Sequence, residues 1–202
     1  MYHPSKIICV GLNYRDHAAE LAMPLPVTPI IFMKPPTTII HENQAIIYPA
    51  QTNNLHYEAE LGVVIKNRIK GITEAQAAEN IAGFVCANDV TARDLQNQDG
   101  QWTRAKSFDT FCPLGSRPAT GINPDDLGIK LLLNGQVKQQ SRTSNMIFKV
   151  NYLVAFIASI MTLEPGDVII TGTPPGVGPM RPGDTVAVEI EGVGRLENRV
   201  LA

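Results

Sequence analysis

YEAELGVVIK, residues 57–66, is the clearest strand in this sequence. It alternates polar and apolar residues at its start and carries β-branched residues towards its end, as half-buried and buried strands do. A second apolar run, IAGFVCA at 81–87, leads directly into Asn88-Asp89. Shorter strands are predicted at residues 6–10, 30–34, 46–47, 128–133, 136–140, 167–171, 185–190 and 192–200. The Asn134-Gly135 pair predicts a hairpin between two of them.

The predicted helices are short. One ends near Leu21, capped by Asn13 or Asp16, and another runs from a capping Thr73 to Asn80. A third follows Thr91 as its cap and ends at Gln96, and helical spacing covers residues 150–160. Strands and helices do not alternate regularly, so a doubly wound parallel sheet is disfavoured. The sequence predicts one β-rich α+β domain over residues 1–202.

Composition excludes several classes of protein. The chain has 202 residues and a formal net charge of -2, which gives no general attraction to nucleic acid or to an anionic membrane. No apolar run reaches the roughly 20 residues of a membrane helix, and the N-terminus does not resemble a signal peptide. Cys9, Cys86 and Cys112 are widely spaced and read as reduced core residues. We therefore expect a cytoplasmic location.

Three carboxylates are the first candidate site. Glu58 and Glu60 lie two apart on a predicted strand and project from one face. Asp89 follows the apolar run that ends at residue 87. Neighbouring carboxylates repel each other unless a cation or a proton lies between them. Oxygen ligands favour Mg²⁺ or Mn²⁺, although two solvated surface glutamates would give the same pattern.

Other polar pairs could take part in catalysis. His17 and Glu20 are three apart and can share a helix face, where a carboxylate would orient the imidazole as a base. Arg93 and Gln96 have the same spacing, and an arginine can clamp a carboxylate. Lys106 could stabilise an oxyanion. Surface pairs and a surface lysine remain the alternatives for all of them.

The segment TGTPPGVG, residues 171–178, directly follows a predicted strand. Its glycines permit close backbone approach, and its hydroxyl and N–H groups can bind an anion. It lacks the GK[ST] ending of a P-loop, so nucleotide binding is disfavoured. A tight turn between strands is the alternative.

Taken in order, these motifs resemble the fumarylacetoacetate hydrolase family, in particular its short acylpyruvase-like branch. The resemblance covers nearly the whole chain, and the combination of motifs is highly specific. The matching runs are KIICVGLNYRDHAAEL (6–21), FMKP (32–35), NLHYEAELGVVI (54–65), NDVTARDLQ (88–96), WTRAKSFDTFCPLG (102–115) and LEPGDVIITGTPPGVGP (163–179).

The resemblance implies a β-roll of mixed sheets with short peripheral helices, assembled as a homodimer. It also implies Mg²⁺ (or Mn²⁺) held by three carboxylates, a water-activating pair and a lysine that polarises the carbonyl under attack. The residues at these positions are Glu58, Glu60 and Asp89 for the metal, His17, Glu20 and Lys106 for catalysis, and Arg93, Gln96, Gly172 and Thr173 for the substrate.

The expected reaction is cleavage of a C–C bond in an acylpyruvate (a 2,4-dioxo acid such as acetylpyruvate or fumarylpyruvate) through a metal-stabilised pyruvate enolate. Decarboxylation or keto–enol tautomerisation of oxaloacetate, and isomerisation of an unsaturated oxo-diacid from aromatic catabolism, are the alternatives. A metal-dependent oxo-acid binding protein is the non-enzymatic alternative. Leu12 and Pro36 depart from relatives that carry Arg and Ser there, which leaves the identity of the substrate open.

Overall fold

The computed structural model describes residues 2–202. Its strands are β1 (Ile7–Val10), β2 (Ile31–Lys34), β3 (Ile39–Ile40), β4 (Ala45–Ile47), β5 (Leu55–Tyr57), β6 (Ala59–Ile65), β7 (Ile81–Asn88), β8 (Thr91–Ala92), β9 (Cys112–Pro113), β10 (Gly128–Leu133), β11 (Gln136–Arg142), β12 (Val168–Ile170), β13 (Gly178–Met180), β14 (Thr185–Ile190) and β15 (Gly194–Leu201). Its α-helices are α1 (Arg15–Glu20), α2 (Arg93–Asp99), α3 (Thr103–Lys106) and α4 (Val150–Ile160).

Two five-stranded sheets carry most of the structure. The first has the order β2-β1-β12-β6-β7, and the second has the order β11-β10-β14-β15-β4. In each sheet one pair is parallel, β1 with β12 and β15 with β4, while the other pairs are antiparallel. Two small sheets, β13-β5-β8 and β3-β9, complete the fold. The predicted β-rich α+β class with mixed sheets is confirmed.

The main core lies between these sheets and α4. Every residue of β1 and β6 is buried, which explains why both strands are apolar apart from Glu60 in β6. Helix α4 buries Val150, Leu153, Val154, Ile157 and Ala158, which form one stripe at helical spacing. Among the described residues, no helix has the length and apolar character needed to cross a membrane.

The hairpin predicted at Asn134-Gly135 is confirmed. Strands β10 and β11 pair antiparallel, and Leu133 lies opposite Gln136. Asn134 and Gly135 both have positive φ, 52° and 78°. Two positive φ values in a two-residue loop match the right-handed twist of the strands it joins, and Asn-Gly tolerates them best.

The helix caps predicted at Asn13 or Asp16 and at Thr91 were wrong, and so was one predicted helix. Residues 73–80 form two 3₁₀ turns, although the capping box at Thr73 is present. Helix α1 begins after Tyr14 without a side-chain cap, because Asn13 and Asp16 bond to distant segments instead. Thr91 lies in β8, and α2 begins after Ala92 and extends to Asp99. For Asn13, Asp16 and Thr91, a contact with a distant part of the chain outweighs the local capping preference.

The predicted strand at 57–66 is interrupted at Glu58. Strand β5 ends at Tyr57 and pairs with β13 and β8, whereas β6 begins at Ala59 in the first large sheet. The interruption places Glu58 where the chain passes from one sheet to another. This position puts its side chain beside residues from several elements.

Candidate active site

The pairing of β6 with β7 brings the three carboxylates to one face. Glu60 lies opposite Ala87, and the backbone N–H of Asp89 donates to the carbonyl oxygen of Glu58 at 2.9 Å. Residues opposite each other, and residues two apart, project from the same side of a sheet. The side chain of Asn88 fixes this corner, because its Oδ1 accepts the N–H of Glu58 at 2.9 Å.

The carboxylates of Glu58, Glu60 and Asp89 form a tight, buried cluster. One carboxylate oxygen from each lies within 4.8 Å of the other two. The exposed fractions of these residues are 7%, 1% and 1%. The alternative of solvated surface glutamates is therefore wrong for this chain.

Three basic side chains surround the cluster. The Nζ of Lys106 donates to Glu58 at 2.9 Å and to Asp89 at 2.6 Å. Arg93 forms an ion pair with the other oxygen of Glu58, and Lys34 forms one with the other oxygen of Asp89. Glu60 has no such cation within residues 2–202; its Oε2 accepts the backbone N–H of Gly172 at 2.6 Å.

Because Glu58 is paired with cations and Glu60 is not, the pKa values of the two glutamates shift in opposite directions. Burial raises the pKa of Glu58, but Lys106 and Arg93 outweigh that effect and lower it to about 2. Burial and the negative charges of Asp89 and Glu58 together raise the pKa of Glu60 well above its ordinary value. Burial lowers the pKa of Lys106, but Asp89 and Glu58 more than reverse that effect, so this lysine remains charged.

The cluster fits a hard divalent cation. Three buried carboxylates offer only oxygen ligands, which Mg²⁺ and Mn²⁺ prefer. Glu60 is a buried acid that forms no ion pair with another described residue, and a metal ion would supply a compensating positive charge. Glu58, Glu60 and Asp89 are therefore the residues that could hold such an ion.

His17 and Glu20 form the expected pair on α1. The Nδ1 of His17 lies 2.8 Å from Oε2 of Glu20. An ionised carboxylate can only accept, so Nδ1 carries the hydrogen and Nε2 keeps a lone pair. The side chain of His17 is 13% exposed and that of Glu20 is 42% exposed. This arrangement is suited to a general base.

The segment at 171–178 connects the acidic cluster to this pair. The N–H of Gly172 donates to Glu60, and the N–H of Gly176 donates to Oε1 of Glu20 at 3.0 Å. Both glycines have positive φ, and a Cβ would lie 2.7 Å from Asn13 at the first and 2.2 Å from the Lys138 carbonyl oxygen at the second. The segment can therefore pass this close to Asn13 and Lys138 only with glycine at both positions.

One cavity of about 660 Å³ joins nine of the ten predicted site residues. The nine residues that line it are His17, Glu20, Glu58, Glu60, Asp89, Arg93, Gln96, Lys106 and Thr173. Gly172 was predicted to contact the substrate, but it lies outside this lining, because its N–H is used by Glu60. The chemical roles of the nine lining residues stay predictions.

Sequence reasoning missed Lys34 and Gln139. Lys34 ends β2 and is 1% exposed; besides its ion pair with Asp89, it donates to the Val90 carbonyl oxygen at 3.0 Å. A lysine between an apolar strand and two prolines was a usable signal. Gln139 is buried on β11 and accepts the N–H of Ala59 while donating to Oγ1 of Thr173. The residues next to Gln139 in the sequence are polar, so the sequence did not indicate that this side chain is buried.

Replacing Lys34 by methionine is expected to reduce the free energy of unfolding of the metal-free protein by about 2–3 kcal/mol. Breaking a buried pair costs roughly 3–5 kcal/mol, and Lys106 still pairs with Asp89, which lowers the loss. Urea denaturation measures it. The matched control is Lys130→Met, which breaks a half-exposed pair with Glu189 and should cost less than about 1 kcal/mol. An equal decrease in the free energy of unfolding in both variants would contradict a stabilising role of the buried pair between Lys34 and Asp89.

Comparisons with known proteins identify the family of this chain. A family model described as fumarylacetoacetate (FAA) hydrolase C-terminal matches residues 6–201. The mitochondrial oxaloacetate tautomerase FAHD1 of Bos taurus is 41% identical over 200 residues, which cover 96% of this chain and 90% of that protein.

Two solved structures share the fold throughout. The 5-carboxymethyl-2-hydroxymuconate delta-isomerase from Mycobacterium smegmatis is 48% identical with a TM-score of 0.94, covering 99% of this chain and 80% of its own. The fumarylpyruvate hydrolase from Pseudomonas aeruginosa, solved in complex with Mn²⁺ and pyruvate, is 33% identical with a TM-score of 0.93, covering 99% and 91%. The chain therefore belongs to the fumarylacetoacetate hydrolase family.

Proposed function

We propose that this protein is a Mg²⁺- or Mn²⁺-dependent hydrolase that cleaves the C–C bond of acylpyruvates. The observation that carries the proposal is the shared cavity, in which the His17–Glu20 pair and the acidic cluster both take part. A base beside a cation site suits attack by water on a carbonyl compound that chelates the cation. The fumarylpyruvate hydrolase structure with Mn²⁺ and pyruvate supports the same chemistry.

The 2-oxo acid end of the substrate would lie near Arg93, Gln96 and Thr173. The guanidinium of Arg93 is held by Gln96 and Glu58, and Oγ1 of Thr173 is held by Gln139. Fixed donors of this kind lose little entropy when a carboxylate binds. They would orient the acid so that its distal C4 carbonyl faces the catalytic pair.

The chain's own residues would move one proton through the reaction. His17 takes a proton from water as the hydroxide attacks C4, while Glu20 stabilises the resulting imidazolium. The ammonium of Lys106 stabilises the oxyanion on C4. The C3–C4 bond then breaks, leaving a carboxylic acid and a pyruvate enolate. His17 returns the proton to C3, so the products are pyruvate and the acid.

When bound, the divalent cation supplies Lewis-acid stabilisation of the negative charge that develops on the 2-oxo acid. The residues around it support this role through their charges. Among the described residues, the three carboxylates of the cluster are matched by three cationic side chains around it. A bound divalent cation would therefore give the site a net positive charge. An anionic substrate would restore the balance.

Keto–enol tautomerisation of oxaloacetate is the second candidate, favoured by the 41% identity to a protein named for that reaction. Here His17 would carry a proton between C3 and the enol oxygen, and no water would attack. Loss of CO₂ from oxaloacetate would give the same pyruvate enolate. Isomerisation of an unsaturated oxo-diacid is a further alternative, since the isomerase from M. smegmatis shares the fold.

One assay separates these reactions. Purified protein is incubated with Mg²⁺ and either acetylpyruvate or oxaloacetate, while pyruvate release and the enol absorbance of oxaloacetate are followed. We expect release of pyruvate and acetate from acetylpyruvate, and loss of this activity in EDTA. Pyruvate from oxaloacetate alone would assign a decarboxylase, and a change in enol signal alone would assign a tautomerase. No change with either substrate would contradict the proposal.

We also propose that the protein acts as a homodimer in the cytoplasm. Both features come from the sequence and its resemblance to the family. Size-exclusion chromatography with light scattering tests the first, and cell fractionation tests the second.

A further inference from the structure

The cavity has two chemically different regions. One region holds the charged side chains that ion pairs join, namely Glu58, Asp89, Arg93 and Lys106. Apolar side chains from three separate segments line the remainder, namely Leu12, Leu21, Met23, Ile30, Phe32 and Trp102. This division is unexpected if the substrate were a small polar dicarboxylate.

A continuous apolar wall begins beside the predicted oxyanion lysine. The Nζ of Lys106 lies 5.1 Å from the centre of the Phe32 ring, and that ring meets Trp102 edge-to-face at 5.1 Å. Trp102 in turn packs against Gly11, where a Cβ would come within 3.2 Å of its ring and 3.4 Å of Ile30. The wall therefore runs from beside Lys106, past Phe32 and Trp102, to Ile30.

The mouth of the cavity exposes large parts of three apolar side chains. Leu21, Met23 and Ile30 are 49%, 51% and 54% exposed. They lie at the rim of the same cavity. Adjacent exposed apolar residues around a concave site are typical of a surface that a ligand covers.

The apolar region offers no cation to a second carboxylate. Of the described residues lining the cavity, only Arg93 and Lys106 are lysine or arginine. Both are already ion-paired, Arg93 with Glu58 and Lys106 with Glu58 and Asp89. A second substrate carboxylate bound along this wall would lose water without finding an unpaired lysine or arginine among the described lining residues, which is unfavourable.

We infer that the group attached to the 2-oxo acid is uncharged and apolar, a branched aliphatic or aromatic acyl chain that packs along Phe32 and Trp102. This inference rests on the proposed function, because it names the substrate class of the same site. A cavity of about 660 Å³ lies in the range that accepts ligands much larger than acetylpyruvate or oxaloacetate.

The test compares two 2-oxo acids of equal shape. 6-Methyl-2-oxoheptanoate ends in two methyl groups where 2-oxoadipate ends in a carboxylate. Binding of each is measured by calorimetry in saturating Mg²⁺, so turnover is not needed. We expect the apolar acid to bind at least about tenfold more tightly, given the transfer free energy of two methyl groups.

Introduction of a positive charge provides the second arm of the test. Leu12→Arg places a cation in the apolar region. It should change the ratio of the two Kd values by about tenfold in favour of 2-oxoadipate. The matched control is Ile160→Arg, which adds the same charge at an exposed residue at the end of α4 that is not part of the cavity. The control should keep the wild-type preference.

The outcomes separate this inference from the proposed function. Equal or tighter binding of 2-oxoadipate, or binding of neither acid, overturns the inference even if acetylpyruvate is hydrolysed. Tighter binding of the apolar acid supports it even if acetylpyruvate is not hydrolysed, in which case only the proposed reaction fails.

Discussion

Replacing His17 by alanine is expected to lower the turnover of acetylpyruvate by about 10²–10⁴-fold, the range typical for loss of a general base. The reason is geometric. Glu20 fixes the hydrogen on Nδ1 of His17 through a 2.8 Å bond, so the other ring nitrogen is the one able to take a proton from water. Turnover is measured as pyruvate release in saturating Mg²⁺.

The same variant should still bind the metal. His17 belongs to α1, whereas the carboxylates of the cluster lie at the ends of β5 and β7 and at the start of β6. Calorimetric titration with Mg²⁺ is therefore expected to give an unchanged Kd. His3→Ala, at an exposed histidine, is the matched control and should leave turnover unchanged. Wild-type turnover in His17→Ala would remove His17 from the mechanism.

Replacing Glu60 by glutamine is expected to weaken Mg²⁺ binding by at least about 100-fold. Losing an outer partner of a metal ligand typically costs about 10–100-fold, and losing a ligand itself should cost more. Turnover should fall to background as the metal is lost. Calorimetry measures the affinity. For the wild type, Mg²⁺ at 100 times its Kd should add about 3 kcal/mol to the free energy of unfolding.

Without a metal ion, the same substitution is expected to stabilise the protein. Burial and the nearby negative charges raise the pKa of Glu60 in the folded state. The folded protein therefore binds this proton more tightly than the unfolded chain, and the resulting stabilisation is lost as pH rises above the ordinary range of a glutamate. Glutamine cannot ionise, so in EDTA Glu60→Gln should be more stable than the wild type between about pH 5 and pH 8, the span above the ordinary pKa of a glutamate.

Thermal unfolding with and without Mg²⁺ tests both statements. The matched control is Glu79→Gln, which removes an exposed carboxylate and should keep the metal-dependent stabilisation. A Mg²⁺-dependent rise in Tm that is equal in Glu60→Gln and the wild type would show that Glu60 does not hold the ion. A destabilised metal-free variant at pH 8 would contradict the acidity described for Glu60.

The fold was predictable wherever local pattern and tertiary contact agree. The hairpin at Asn134-Gly135 followed from the φ angles that this dipeptide tolerates. The stripe on α4 followed from helical spacing. Caps were predicted wrongly because the side chains of Asn13 and Asp16 bond to segments more than 100 residues away, which no local rule can anticipate.

The candidate site was predictable as a set of residue types but not as an arrangement. ExE with a following acid indicated oxygen ligands, and HxxE indicated an oriented imidazole. Sequence reasoning did not find that Lys34 reaches Asp89, or that Gly172 uses its N–H on Glu60. Both contacts join segments from different parts of the chain.

The sequence by itself determined the family, through its ordered motifs, and the β-rich class, through its hydrophobic pattern. It also indicated which acids, which histidine and which lysine could act together, because spacing along a strand or helix sets which side chains share a face. Only the tertiary structure decided how these groups interact. The break at Glu58 and the pairing of β6 with β7 bury three acids together, and the unequal supply of cations then separates Glu58 from Glu60. Electrostatic interactions depend on distance and burial, and those are properties of the folded chain.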